Sequence, residues 1–246
     1  MPQIVAVGLG TLYTVSGAKQ STSSNKGPMQ TLVWLAKNNR PVDKRKTGPV
    51  SHPWHPSGAA RTLTTPEEAY LYAAEIFTHP KLLPYSLNAL GVAGWPIALV
   101  PIPASSTTRG SGEGERWPAL AFARELERHG VGRVRRCVVN KAATNEQTAS
   151  GARTPAHEIA ANLELLDYPK EGEAVVFVDD VITWGKRMAA VNHVLGWSGP
   201  TAAVCIAFTS DGDVVDCLDP KKRVIAYDAT PTPWVVTISK AQQTPT

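Results

Sequence analysis

The residues best placed to do chemistry lie between Val175 and Arg187, in the run VVFVDDVITWGKR. Four apolar residues, Val175 to Val178, read as a central strand. Two adjacent carboxylates, Asp179 and Asp180, stand at its open end. Val181, Ile182, Thr183, Trp184 and Gly185 then form a turn, and Lys186 and Arg187 open a helix whose free N–H groups and positive dipole end favour a phosphate. Carboxylates at a strand end and a phosphate seat a few residues on suit a molecule with hydroxyls in the middle and a phosphate at one end. Ribose 5-phosphate is such a molecule.

Three other loops carry reactive or ligand-binding side chains. Ser105-Ser106-Thr107-Thr108-Arg109-Gly110 is a small polar loop with one cation between a strand and a helix. Read alone, it serves equally as a flexible Gly/Ser connection. Asn140-Lys141 ends another apolar run and is followed by a long small-residue segment holding Gln147 and Arg153. Such a segment inside a compact fold is a lid or is unstructured. Lys141 then either contacts the ligand or is a solvated strand-end lysine. The fourth loop, Tyr227 to Trp234, offers two aromatics that either stack on a flat ligand or pack on the core. His52, His55, His79, His129, His157 and His193 show neither metal spacing nor a paired base and read as structural or surface residues. Cys137, Cys205 and Cys217 are widely spaced, and the first two sit in apolar runs, so buried reduced thiols are expected.

The elements that must position these loops are legible from about residue 62. Thr65-Pro66-Glu67-Glu68 is a helix start, with a capping Thr, Pro in the first turn and Glu three residues after the cap. The helix is expected to reach Phe77. Strands are predicted at Ile97 to Ile102, Val134 to Asn140, Ala174 to Val178, Ala202 to Phe208 and Arg223 to Tyr227. Helices are predicted at Glu115 to His129, Ala156 to Leu166 and Lys186 to Leu195. Almost wholly apolar strands separated by helices imply a mostly parallel sheet covered on both faces, with ligands bound beyond the strands' carboxyl ends. Residues 1–60 lack helical periodicity. Short β-like runs (Ile4 to Gly8, Thr31 to Ala36), a polar linker from Ser16 to Pro28 and a basic stretch from Arg40 to Gly58 predict a small β-rich or irregular N-terminal lobe. The expected division is therefore a lobe at 1–60, an α/β core at 61–230 and a tail at 231–246.

The segment Val175 to Arg187 resembles the phosphoribosyl-diphosphate (PRPP) motif of the type I phosphoribosyltransferases. VDDVIT-x-G is closest in wording to ComF-like competence proteins and to orotate phosphoribosyltransferase. The resemblance covers roughly residues 62–230 and implies a central, mostly parallel sheet flanked by helices. It implies that Asp179 and Asp180 hold the ribose hydroxyls and that Val181 to Arg187 wrap the 5′-phosphate. Mg²⁺ would bridge pyrophosphate and ribose near the same two carboxylates. By the same resemblance, the backbone of Ser105, Ser106 and Gly110, with Arg109, binds pyrophosphate. Lys141 opens a mobile loop carrying Gln147 and Arg153, and Tyr227 or Trp234 stacks on a base. The motif departs at Trp184 and Arg187, where the family carries small hydroxyl residues. Arg187 substitutes a charged donor; Trp184 offers none. The zinc module common in ComF relatives needs a Cys-x-x-Cys that this sequence lacks. A receiver domain also carries a strand followed by Asp-Asp, but there the pair ends the first strand, whereas here two or three strands precede it.

The activity implied is transfer of ribose 5-phosphate from PRPP to a nitrogen acceptor, a nucleobase or related compound, with release of pyrophosphate. Two alternatives stay open: a non-enzymatic regulator that binds PRPP or a nucleoside 5′-monophosphate, and a nucleotide-processing enzyme on the same scaffold. Bulk composition fits all three. The 246 residues are 43% hydrophobic and 19% charged, and Lys plus Arg exceed Asp plus Glu by 25 − 21 = 4, a modest excess favouring an anionic partner. The basic run Lys37 to Lys46 would suit a nucleic-acid contact, although no helix-turn-helix accompanies it. No apolar run approaches the roughly 18 residues of a membrane span. The N-terminal MPQIVAVGLG lacks a basic n-region and reads as a strand, so a cytoplasmic protein is the expectation, with a homodimer left open.

Overall fold

Strand Ala174–Ile182, which carries the two carboxylates, lies three from one edge of a seven-stranded sheet. The computed structural model describes residues 1–13, 31–33, 35–36, 49–51, 55–110, 117–143, 154–210 and 221–240. In chain order these form β1 (Gln3–Tyr13), a short α1 (helical at 31–33 and 35–36), β2 (Pro49–Val50), β3 (Arg61–Thr62), α2 (Pro66–Phe77) and α3 (Leu82–Ala89). There follow β4 (Ile97–Pro101), α4 (Pro118–Arg128), β5 (Arg133–Val134), β6 (Val138–Asn140), α5 (Ala156–Ala161), β7 (Leu163–Leu165) and β8 (Ala174–Ile182). The chain continues with α6 (Lys186–Leu195), β9 (Thr201–Ser210), β10 (Lys221–Asp228) and β11 (Val235–Lys240). The large sheet runs β11-β10-β1-β9-β8-β4-β5. Its β1, β9, β8, β4 and β5 are mutually parallel, and β10 runs antiparallel to both of its neighbours.

The expected α/β class and mostly parallel sheet are therefore present, and the sheet's two faces bury separate cores. On one face Val176, Val178, Val204 and Ile206 meet Leu32 and Leu35 of α1, Tyr72 and Ile76 of α2, and Phe122 and Leu126 of α4. On the other, Val175, Phe177, Ala203 and Cys205 meet Met188, Val191 and Leu195 of α6, with Val138 and Leu163 beyond. Alternation along β8 sends neighbouring residues to opposite faces, which is why a strand covered on both sides is apolar throughout.

Local signals explain the helices. Thr65 caps α2: its hydroxyl accepts from Glu68 N–H at 3.2 Å, and Glu68 Oε2 accepts in return from the amides of Thr64 at 2.6 Å and Thr65 at 3.2 Å. Those amides, the Thr64 amide above all, hold the Glu68 carboxyl below its ordinary value. In α4 the apolar positions Leu120, Phe122, Ala123 and Leu126, spaced to share one helical face, are buried.

Several expectations are corrected. The described residues of the run Thr31 to Ala36, 31–33 and 35–36, are helical, not β-like: Leu32, Leu35 and Ala36 are all buried, and that i, i+3, i+4 spacing is helical. The first residues are no appendage, because β1 is inserted between β10 and β9. The tail after residue 230 supplies the edge strand β11. The run Val134 to Asn140 is two strands, split by a tight turn in which Cys137 N–H donates to Arg135 carbonyl at 3.0 Å. Only β5 joins the large sheet; β6 leaves it and pairs antiparallel with β7. The helix predicted through Leu166 stops at Ala161. The Asn162 side chain there pairs with both backbone groups of Ala142 (2.9 and 3.2 Å), turning Leu163-Glu164-Leu165 into a strand with period two. Cys137 and Cys205 are buried free thiols as expected; burial pushes the first to about 12 and the second well above its ordinary value. Cys217 lies outside the described residues. No described helix is long and apolar enough to cross a membrane.

Candidate functional site

Pairing between β8 and β4 ends at Val178, where Pro101 is its register partner and Ile102 N–H donates to its carbonyl at 2.9 Å. Beyond that level β8 continues for four residues against β9 alone. The strand is thus longer than predicted, and Asp179 and Asp180 lie within it rather than after it. Both are half-buried on the edge that β4 has vacated. As consecutive residues of an extended strand they face opposite sides of the sheet. Asp179 takes the face covered by α6, beside Cys205, and its carboxylate accepts from Asp180 N–H at 2.9 Å. Asp180 has no register partner in β9.

The turn after β8 is built as the sequence implies. Gly185 is the N-cap of α6 with φ +67°, and a Cβ there would lie 2.7 Å from Ile225 Cγ2. Only glycine satisfies both that conformation and that approach. The cap residue has no side chain and so makes no side-chain hydrogen bond of its own to the first amides of α6. Thr183 is half-buried and Trp184 is 41% exposed. Arg187 reaches back across the mouth of the sheet, its Nη1 donating to Pro103 carbonyl at 3.1 Å. That contact joins the α6 turn to the loop after β4, the two segments expected to grip opposite ends of one ligand.

The loop from Ala104 to Gly110 is fixed by a residue the sequence reading passed over. Asn140, only 2% exposed, donates through Nδ2 to the carbonyls of Ala104 (2.6 Å) and Thr107 (2.8 Å). Its backbone N–H donates to Thr107 carbonyl at 2.9 Å, and a parallel bridge links Thr108 to Asn140. Ser105 and Ser106 sit on the resulting turn, and Gly110 is exposed beyond it. Arg109 is ion-paired to Glu164 of β7 at 2.9 Å, with its own side chain 69% exposed. An exposed pair of this kind contributes at most ~1 kcal/mol, so an anion can recruit the guanidinium at small cost. Lys141 is exposed, and its Nζ donates to Ala161 carbonyl at the end of α5 (2.7 Å). One of its three ammonium donors is used there.

The expected aromatic platform is not assembled around Tyr227. Its ring is 3% exposed and its hydroxyl receives Asn192 Nδ2 at 3.0 Å. Trp234 packs edge-on to His193 (4.5 Å) and stacks at 6.2 Å on Tyr227. Asn192 is seven residues beyond the N-cap, about 10 Å along the helix, so both rings belong to the middle of α6. Burial leaves Tyr227 no face for a base; Trp234 keeps partial exposure. Gln147 and Arg153 of the expected lid lie outside the described residues. His55 is buried, within the structural role expected of it, and its pairing with Glu75 is the part the sequence does not show.

No protein-family model matches the chain, and no curated protein matches it as a relative.

Proposed function

We propose that the chain is a phosphoribosyltransferase-like enzyme that moves ribose 5-phosphate from PRPP to a nitrogen acceptor and releases pyrophosphate. The observation that carries this reading is the projection of β8 past β4. It delivers two carboxylates to an open sheet edge immediately before a glycine-capped helix, with Arg187 tying that turn to the loop after β4. In this reading the first amides of α6 and the Arg187 guanidinium receive the 5′-phosphate. Asp179 and Asp180, facing opposite sides, accept from the ribose hydroxyls. The bond from C1 to the pyrophosphate oxygen breaks as the acceptor nitrogen bonds to C1, through an oxocarbenium-like transition state. Positioning and charge at the leaving group do the catalysis. Arg109, released from Glu164, and the Lys141 ammonium offset that charge.

The donor set suits Mg²⁺, a hard cation that takes one or two carboxylates plus substrate oxygens and water. When bound, it would neutralise the pyrophosphate beside Asp179 and Asp180. The base platform falls to residues other than Tyr227, which leaves the acceptor class at nitrogen nucleophiles. A second reading, a regulator that binds PRPP or a nucleoside 5′-monophosphate without turnover, is favoured by one observation. Arg109 and Lys141 both spend donors on the protein itself. Pyrophosphate release with PRPP, Mg²⁺ and a panel of nucleobases separates the two. Release with any acceptor establishes the transferase. Saturable binding of PRPP without release establishes the regulator, and no binding at millimolar PRPP refutes both.

A further inference from the structure

On the face of the sheet away from α6, the turn before β3 holds a second constellation with chemistry of its own. The imidazole of His55 is 7% exposed and stacks on Tyr72 of α2, with centroids 4.3 Å apart and planes at 12°. Its Nε2 lies 2.8 Å from Glu75 Oε2 and its Nδ1 lies 2.8 Å from Ser57 Oγ. The partners fix the tautomer. An ionised carboxylate only accepts, so Nε2 carries the proton. The lone pair of Nδ1 then faces both donors of Ser57, the hydroxyl and the backbone N–H at 3.3 Å. Arg61 Nη1 lies 3.5 Å from the same Glu75 oxygen.

We propose that Ser57, His55 and Glu75 form a nucleophilic relay in which Ser57 accepts acyl groups from small carboxylic esters. A serine within hydrogen-bond reach of a base, itself oriented by a third group, is the arrangement that activates a hydroxyl. Each requirement is met here by a different feature. Burial and the Tyr72 stack fix the ring, Glu75 stabilises the imidazolium that forms, and Ser57 is exposed, so an ester can reach it. The turn itself is closed by Gly58 N–H donating to His55 carbonyl at 2.9 Å, with Gly58 at φ +62°. That turn brings a serine two residues away onto the ring.

The reaction balances without any further redox partner. Ser57 Oγ bonds to the ester carbonyl carbon as its proton passes to His55 Nδ1. The tetrahedral adduct collapses, the alcohol oxygen leaves and takes that proton, and acyl-Ser57 remains. Water then repeats the sequence on the acyl-enzyme, releasing the carboxylic acid and restoring the serine. None of these residues belongs to the β8–α6 site, so this inference is independent of the sugar-phosphate reading.

The test is covalent labelling of the full chain with a fluorophosphonate, followed by peptide mapping. The expected result is one adduct on Ser57, absent when the protein is first unfolded in urea. Ser57→Ala, at an exposed position, abolishes the adduct with an unchanged melting temperature. Glu75→Gln keeps the size of the side chain and removes its charge, and labelling is expected to slow about 100-fold. A native protein that takes no label at Ser57, or a Glu75→Gln protein that melts like the parent and labels at the parent's rate, overturns the relay.

Discussion

Replacing Asn140 tests whether one buried amide organises the loop after β4. Its Nδ2 makes two hydrogen bonds, to Ala104 and Thr107 carbonyls, from a side chain almost wholly removed from solvent. Asn140→Ala deletes both and leaves a small void, for a loss of about 2–3 kcal/mol at roughly 1 kcal/mol per neutral bond plus the unsatisfied carbonyl. In a chain of this length each kcal/mol lowers the melting temperature by about 2–4 °C, so a drop of about 4–12 °C is expected. Asn140→Asp keeps the shape but presents a carboxylate oxygen to two carbonyl oxygens. It should cost more, about 3–5 kcal/mol, as an uncompensated buried charge does. Thermal melts followed by circular dichroism read both variants. Because the same loop is proposed to hold pyrophosphate, Asn140→Ala should also weaken Mg²⁺-PRPP binding about ten-fold, equivalent to about 1.4 kcal/mol. An Asn140→Asp protein that melts at or above the Asn140→Ala protein would refute the donor role and the reasoning built on it.

Gly185→Ala should destabilise by about 2–4 kcal/mol through its positive φ and its contact with Ile225. Adding Ile225→Ala should leave that protein less destabilised than the two single costs summed, as read by urea denaturation. Arg187→Lys should lose about ten-fold in phosphate-ligand affinity despite its charge, because lysine lacks the forked donor. Calorimetric parity between Arg187→Ala and the parent would make Arg187 a purely structural link to Pro103. At the far end of the sheet, burial alone would raise the Glu173 carboxyl, but Arg135 at 2.9 Å and the Lys170 amide outweigh it and hold it low. A lowered folded value means stability that is complete above the ordinary carboxyl range and is lost as pH falls through the lowered value. Glu173→Gln should therefore cost about 1–3 kcal/mol at pH ~7 and progressively less as the pH falls below the ordinary carboxyl range, and a cost that stays constant through that fall would contradict the pairing.

What was legible in the sequence was local. The α6 bounds, the Thr65–Glu68 box and the Leu120–Leu126 stripe follow from spacings of three and four residues, and each is found where the pattern puts it. The acidic pair, the glycine turn and the helix start were readable for the same reason. What escaped depends on pairings made across long stretches of chain. Val134 to Asn140 reads as one strand, and nothing within it announces that Arg135 is drawn to Glu173 while Val138 turns to meet Leu165. Ala156 to Leu166 reads as one helix until Asn162 finds Ala142, twenty residues earlier. The weight of Asn140 depends on where the loop after β4 comes to rest, and His55 gains its carboxylate only when α2 packs beside it. Tyr227 looked available because a chain-end aromatic carries no sign of its burial; the antiparallel insertion of β10 against β1 places its hydroxyl beneath Asn192.

The central claim, that the carboxylates projecting from β8 hold the ribose of a phosphorylated sugar, is tested most directly by paired calorimetric titrations. Mg²⁺-PRPP is titrated into the parent and into Asp180→Asn, with the melting temperature of each measured alongside. The account predicts saturable binding to the parent at millimolar or tighter Kd. For Asp180→Asn it predicts affinity at least about ten-fold weaker, since one charge-assisted hydrogen bond is worth ~1.5–3 kcal/mol, with melting temperatures that agree closely. Equal affinity in the two proteins, or no heat from the parent into the millimolar range, would contradict it.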